Sequence, residues 1–201
     1  MKVLGITGPS GAGKGEISAR LTRHYGIPVL DADAIYHALL IPPSPCLDAL
    51  VAAFGDAILA SDGTLCRKTL SAIVFSDAEK RRLLNSIAHR HVMEEIRRRL
   101  RALAEEGCPV AAIDAPQLFE AGADADCDYV LAVLASPAVR RARIQSRDGI
   151  TEAQANARFA AQHGDDFFRT HADAVIENDG TTDALFDALN DVLCGWEVCS
   201  E

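Results

Sequence analysis

The chain has 201 residues, 49% of them hydrophobic and 24% charged, the makeup of an ordinary globular domain with one sizeable core. Its formal net charge of -9 excludes broad binding to nucleic acid or to an acidic membrane, so an anionic ligand has to be held by a local basic cluster. The six cysteines, at 46, 66, 108, 127, 194 and 199, show no C-x-x-C pair and no metal-like spacing, and no targeting segment or membrane-spanning run is visible, so a cytoplasmic protein with reduced thiols is expected.

Short apolar runs recur at Lys2 to Thr7, Pro28 to Leu30, Val110 to Ile113, Tyr129 to Leu134 and Ala174 to Ile176, with helix-like segments between them. That alternation predicts a five-stranded parallel sheet, and runs that are apolar throughout predict helices on both faces, a three-layer α/β/α core. The first run leads into Gly8-Pro9-Ser10-Gly11-Ala12-Gly13-Lys14-Gly15, and a helical pattern carrying Ile17, Leu21 and Tyr25 follows. A glycine-rich loop between strand and helix turns successive backbone N–H groups toward one anion, and the lysine and helix N-terminus add positive potential there. The competing reading is a plain tight turn. The motif asks for Ser or Thr after the lysine, where a hydroxyl meets magnesium, and this chain has Gly15.

The second run ends at Asp31-Ala32-Asp33, before a helix expected over Ala34 to Leu40. One of the two aspartates is expected to cap that helix, because a helix has a single N-cap, which leaves the other for chemistry. The stretch from about 41 to 107 reads as an all-helical insert. Within it Val92, Ile96, Leu100 and Leu103 form an apolar face, and Glu94 with Arg98 and Glu95 with Arg99 are spaced for exposed ion pairs. His89 and His91 read as surface residues of this helix.

Asp114 ends the third strand, where ligands collect in open α/β sheets, and reads either as a magnesium contact or as a strand-end turn before Pro116. A second helical insert, about 137 to 171, opens with Arg140, Arg143 and Arg147 on one helix face, suited to a lid over phosphates or to plain solvation. The histidines and aspartates from His163 to Asp173 match no metal-ligand spacing and read as an exposed acidic segment.

Taken together, these blocks resemble the dephospho-coenzyme A kinase family over nearly the whole chain. The similarity is carried by GITG at the loop, LDADAI from Leu30, DGTLCRKTL from Asp62, LNSIAH ending at His89, DAPQLFEAG from Asp114, RIQSRDGIT from Arg143, RFAAQ ending at Gln162 and ADAVIENDG from Ala172. The resemblance implies a single P-loop kinase domain. Its core would comprise about 1–40, 108–136 and 172–201, its acceptor-binding insert 41–107 and its lid 137–171. It implies transfer of phosphate from ATP, with Mg2+, to the ribose 3′-hydroxyl of dephospho-coenzyme A, by a monomer or weak homo-oligomer. Gly11, Ala12, Gly13, Lys14, Gly15 and Glu16 would bind ATP, Asp33 would orient or deprotonate the hydroxyl, and Asp114 would meet the metal. Arg143 and Arg147 would close over the phosphates, and His89, Pro116, Leu118, Phe119 and Glu120 would line the acceptor region. The chain departs from the family's usual pattern at Gly15-Glu16, at Arg90 and at the acidic pair Asp165 and Asp166. The alternatives are a nucleoside monophosphate or small-metabolite kinase on the same core, and a catalytically weak nucleotide-binding homologue.

Overall fold

The computed structural model describes residues 1–75 and 77–198, so Cys199 of the six expected thiols lies outside the described residues. Its elements run β1 Lys2–Thr7, α1 Lys14–Tyr25, β2 Val29–Asp31, α2 Ala32–Ala38, α3 Pro45–Phe54, α4 Arg67–Phe75 and α5 Ala78–Glu105. Then follow β3 Val110–Asp114, β4 Tyr129–Leu134, α6 Pro137–Asp148, α7 Glu152–Ala160, α8 Asp165–His171, β5 Ala174–Glu177 and α9 Thr182–Gly195. The five strands form one parallel sheet in the order β2-β3-β1-β4-β5, as the five apolar runs predict. The chain divides into two compact units, residues 1–30 with 104–201 and residues 31–103.

In the first unit, side chains alternate across the sheet. Leu4, Ile6, Val110, Ala112, Leu131, Val133 and Ile176 meet Ile17 and Leu21 of α1 and Leu185, Leu189 and Leu193 of α9. On the opposite face Ala132 and Leu134 pack with Phe168 of α8, and Val175 joins them. Period-two strands and period-3.6 helices thus bury a continuous core on both faces. Two carboxylates tie strand starts to neighbouring segments: Asp128 accepts the Val3 N–H and Asp173 accepts the Val130 N–H, each at 2.7 Å. Cys127 is enclosed beside this acidic group, and burial with the neighbouring aspartates pushes its thiol up to about 12.

The second unit is built from α2 to α5 around Leu40, Cys46, Leu50, Ile58 and Leu70. Asp31 accepts the Ala34 N–H at 2.9 Å and caps α2. The helix begins at Ala32, earlier than the expected Ala34, so Asp33 stands in its first turn and not at the end of β2. On α5, Val92, Ile96 and Leu100 are buried as the apolar spacing predicts. The expected pairing of Glu94 with Arg98 gives way to another: Arg98 and Arg99 both converge on Glu95, and Glu94 faces His91. One carboxylate can accept from both arginines because they lie three and four residues on, the spacings that face it across one helical turn.

Those arginines hold the Glu95 carboxyl down from 4.5 to about 2, the hydrogen bond from Arg98 being the largest cause. A carboxyl whose folded pKa is depressed adds stability above its ordinary pKa and loses it as pH falls through the folded value. The stability gap between the parent and Glu95→Gln, measured by urea unfolding, is therefore expected to be wider at pH 6 than at pH 3. An equal gap at both pH values would refute the charge origin of the contribution.

Candidate functional site

The loop between β1 and α1 owes its shape to the orientation of its peptide units. Ser10 O accepts from Arg140 Nε at 3.0 Å, Gly11 O from Arg143 Nη1 at 3.3 Å, and Ala12 O from Arg143 Nη1 at 3.2 Å and from Asn178 Nδ2 at 2.7 Å. A trans peptide is planar, with its C=O and N–H pointing opposite ways. Turning three successive carbonyls outward therefore turns the N–H groups of Gly11, Ala12 and Gly13 inward, the arrangement that cradles an anion.

Glycine is required at two of these positions for two reasons each. Gly11 has φ +80° and Gly13 φ +109°, and an added Cβ would lie 2.6 Å from Arg140 O at the first and 2.1 Å from Asn178 Nδ2 at the second. Gly13 is also the N-cap of α1 and offers no side chain to the helix's first N–H groups. By contrast α2, α3, α7 and α9 are capped by Asp31, Ser44, Thr151 and Thr181. An N-terminus without a side-chain cap presents donors and positive potential together.

Lys14 Nζ lies at the same place, donating to Gly8 O at 2.7 Å and Pro9 O at 3.3 Å. Gly15 and Glu16 are exposed at the start of α1, and a Cβ on Gly15 would have no atom within 4 Å. The missing hydroxyl is thus not enforced by space. Asp114, at the end of β3, receives a 2.6 Å hydrogen bond from Ser18 Oγ, one helical turn beyond Gly15.

The three arginines of α6 divide in a way their spacing does not reveal. Arg140 is 6% exposed, with its guanidinium 4.3 Å above the Phe159 ring and 3.5 Å from Asp165. Burial lowers its pKa and Asp165 opposes that shift. Arg143 reaches the loop carbonyls and Asn178, whereas Arg147 turns to Asp148, which Arg158 also engages. Both arginines hold the Asp148 carboxyl below its usual range, and the hydrogen bond to Asp148 raises Arg147. The acidic segment therefore has structural work: Asp165 balances Arg140, and Asp173 anchors β4.

After β3 the chain makes a tight loop. Leu118 is fully buried over Gly5, 2.9 Å from where a Cβ would stand, and so braces the loop from within. Pro116 O lies 3.5 Å from Thr7 Oγ1. Phe119 meets Phe167 edge-on at 5.5 Å, and Glu120 pairs with His163 at 3.3 Å. The residues that the sequence reading passed over are Ser18, Gln162 and Asn178. Asn178 directly follows β5, so the strand-end rule that singled out Asp114 applies equally to it.

In the second unit Asp33 is exposed in the first turn of α2, and His89 is half-buried on α5. This unit also holds a cavity of about 180 Å³ lined by Tyr36, Leu40, Leu65, Arg67, Leu70 and Val74 among others. Burial raises the Tyr36 hydroxyl above its ordinary pKa.

A family model described as dephospho-CoA kinase matches residues 2–184. A dephospho-CoA kinase of Symbiobacterium thermophilum is 38% identical over 200 residues, 98% of this chain and 83% of that protein. Among solved structures, TT1252 from Thermus thermophilus aligns with a TM-score of 0.81 at 32% identity, covering 96% of this chain and 97% of its own. The fold of a Campylobacter jejuni dephospho-CoA kinase aligns with a TM-score of 0.68 at 22% identity, over 97% and 99% of the two chains.

Asn178 holds Ala12 O from one side and receives Arg143 from the other, and it is 4% exposed. Asn178→Ala leaves a carbonyl and a guanidinium short of a buried partner, with an expected loss of about 1–3 kcal/mol in chemical denaturation. An unchanged midpoint would mean that the loop does not depend on this clamp.

Proposed function

The chain belongs to the dephospho-CoA kinase family, and from that membership we propose how its residues share the chemistry. It is an ATP-dependent kinase that phosphorylates the ribose 3′-hydroxyl of dephospho-coenzyme A to give coenzyme A and ADP, the last step of coenzyme A biosynthesis. The observation that carries the assignment of roles is the outward pinning of the Ser10, Gly11 and Ala12 carbonyls beside the N-terminus of α1.

In this reading Gly11 to Glu16 receive the ATP phosphates, and Lys14 exchanges its loop carbonyls for phosphate oxygens, neutralising charge on the transferred group. Arg143 holds the cradle from behind. Arg147 would reach the phosphates on leaving Asp148, an exchange of one anionic partner for another. Asp33 accepts the proton of the acceptor hydroxyl, since the capping of α2 already falls to Asp31. Acceptor contacts are assigned within the helical unit to His89, and within the first unit to Pro116, Phe119 and Glu120.

Mg2+ fits the donor set in part. The Asp114 carboxylate, held by Ser18, is the hard oxygen ligand this ion prefers, while Gly15 contributes none. Asp114 would hold the ion, which when bound spreads the negative charge of the phosphates. No described helix is long and apolar enough to cross a membrane, and a monomer or weak homo-oligomer working in the cytoplasm fits this reading.

Coenzyme A formation from Mg-ATP and dephospho-coenzyme A is the direct test. The parent is expected to be active and Asp33→Asn to lose about a hundredfold or more in kcat, the scale of general-base catalysis. Gly15→Ser, whose side chain meets open space, is expected to stay active and to need less Mg2+ for half-maximal rate. An inactive parent rescued by Gly15→Ser would instead identify a weak nucleotide-binding homologue. Preference for a nucleoside monophosphate as acceptor would overturn the assignment of the acceptor.

A further inference from the structure

One peptide of the loop is oriented against the three that follow it. At Pro9–Ser10 the carbonyl faces inward, where Pro9 O accepts from Lys14 Nζ at 3.3 Å and from the Ala12 N–H at 3.2 Å. The N–H of the same planar unit faces outward and donates to Gln162 Oε1 at 3.1 Å. Gln162 completes the clamp by donating from Nε2 to Ser10 Oγ at 2.9 Å. It sits just beyond α7, and its carboxamide orientation is fixed by Arg140, whose Nη2 lies 3.4 Å from Gln162 Oε1 while its Nε holds Ser10 O. Arg140 is itself buried against Phe159 and balanced by Asp165, so the clamp stands on a packed support.

We propose that Gln162 is a positioning residue for Lys14, acting through the Pro9–Ser10 peptide. Holding the Ser10 N–H outside the loop holds the Pro9 carbonyl inside it. That carbonyl and Gly8 O keep the ammonium at the mouth of the phosphate cradle before nucleotide arrives. Without Gln162 the N–H side of this peptide loses its anchor, and the lysine loses part of what fixes its position. The role rests on the kinase reading only in taking Lys14 as the phosphate-binding lysine. It places the residue in the segment after α7, 152 positions from the loop it orients.

Calorimetric ADP affinity tests this independently of coenzyme A formation. Gln162→Ala removes both hydrogen bonds to Ser10 together with the contact to Arg140, and is expected to weaken ADP binding about tenfold, the effect of a lost buried hydrogen bond on a charged partner's position. Ser10→Ala keeps the Ser10 N–H bond to Gln162 Oε1 and loses only the bond at Ser10 Oγ. It is expected to stay within about threefold of the parent. In a Lys14→Ala background Gln162→Ala should cost nothing further, because residues acting through one another are not additive. A merely structural role predicts the opposite pattern: a lowered Tm with unchanged ADP affinity, or equal and additive losses with and without Lys14. Either result would overturn the proposal, as would Ser10→Ala binding as weakly as Gln162→Ala. A parent that binds ADP with this pattern but forms no coenzyme A would refute the kinase reading alone.

Discussion

Everything at the nucleotide end of this molecule depends on which way four consecutive peptides point. Backbone N–H groups are anion ligands only when their carbonyls are satisfied elsewhere, and here the carbonyls of Ser10, Gly11 and Ala12 are satisfied by Arg140, Arg143 and Asn178. Those partners come from α6 and from the residue after β5, so the cradle is formed only once the sheet and its covering helices are assembled. The glycines are the complement of this arrangement. Arg140 and Asn178 approach the backbone so closely at Gly11 and Gly13 that a methyl group would displace them.

Charge explains why the clamp uses arginines in an acidic protein. A net charge of -9 gives no general attraction for a polyphosphate, so positive potential has to be concentrated at one point. Arg140 and Arg143 supply it from the outer side of the loop, Lys14 from the inner side, and the N-terminus of α1 between them. Burying Arg140 depresses its pKa, and a lone guanidinium there would be costly. Asp165, two backbone or side-chain acceptors and the Phe159 face offset that cost. Asp165 thereby has a physical purpose, as the counter-charge of an arginine committed to the loop.

The parts of this structure legible in the sequence were those set by local period and composition. Five apolar runs became five strands because full burial on both faces needs apolar residues at every position, and the glycine-rich stretch became the loop because few other arrangements use three glycines before a lysine. The pair at Asp31 and Asp33 was readable as one cap and one free role, but the choice turned on where α2 begins, which spacing leaves open by a residue or two. Arg140, Arg143 and Arg147 were correctly placed on one helix, yet a face gives no partner: two of them found the loop and the third found Asp148. Gln162 and Asn178 lie 152 and 166 positions from the loop residues they bind, and although both fall inside blocks that carry the family resemblance, neither carries a charge that gives it a role. Contacts of that range are created by tertiary packing, so local pattern holds no record of them.

Helices α1, α6 and α8 begin without a side-chain cap, at Gly13, Ser136 and Gly164. Four helices spend a side chain on their own first turn, Asp31, Ser44, Thr151 and Thr181 each accepting a backbone N–H, and this is the ordinary way to satisfy those donors. Helix α1 starts at Gly13 instead and spends none, although a capping side chain there would stabilise the helix by about a few tenths of a kcal/mol relative to glycine. Substituting one is blocked by the left-handed backbone and by Asn178 at 2.1 Å, so the polar ends of α1 are reserved by construction for something that is not a side chain. The same division appears within Asp31-Ala32-Asp33, where the first aspartate is consumed by the cap and the second is carried on the exposed first turn. At Gly13 the missing cap is offset by the carbonyl clamps around the loop, and at α2 the cap falls to Asp31 beside Asp33.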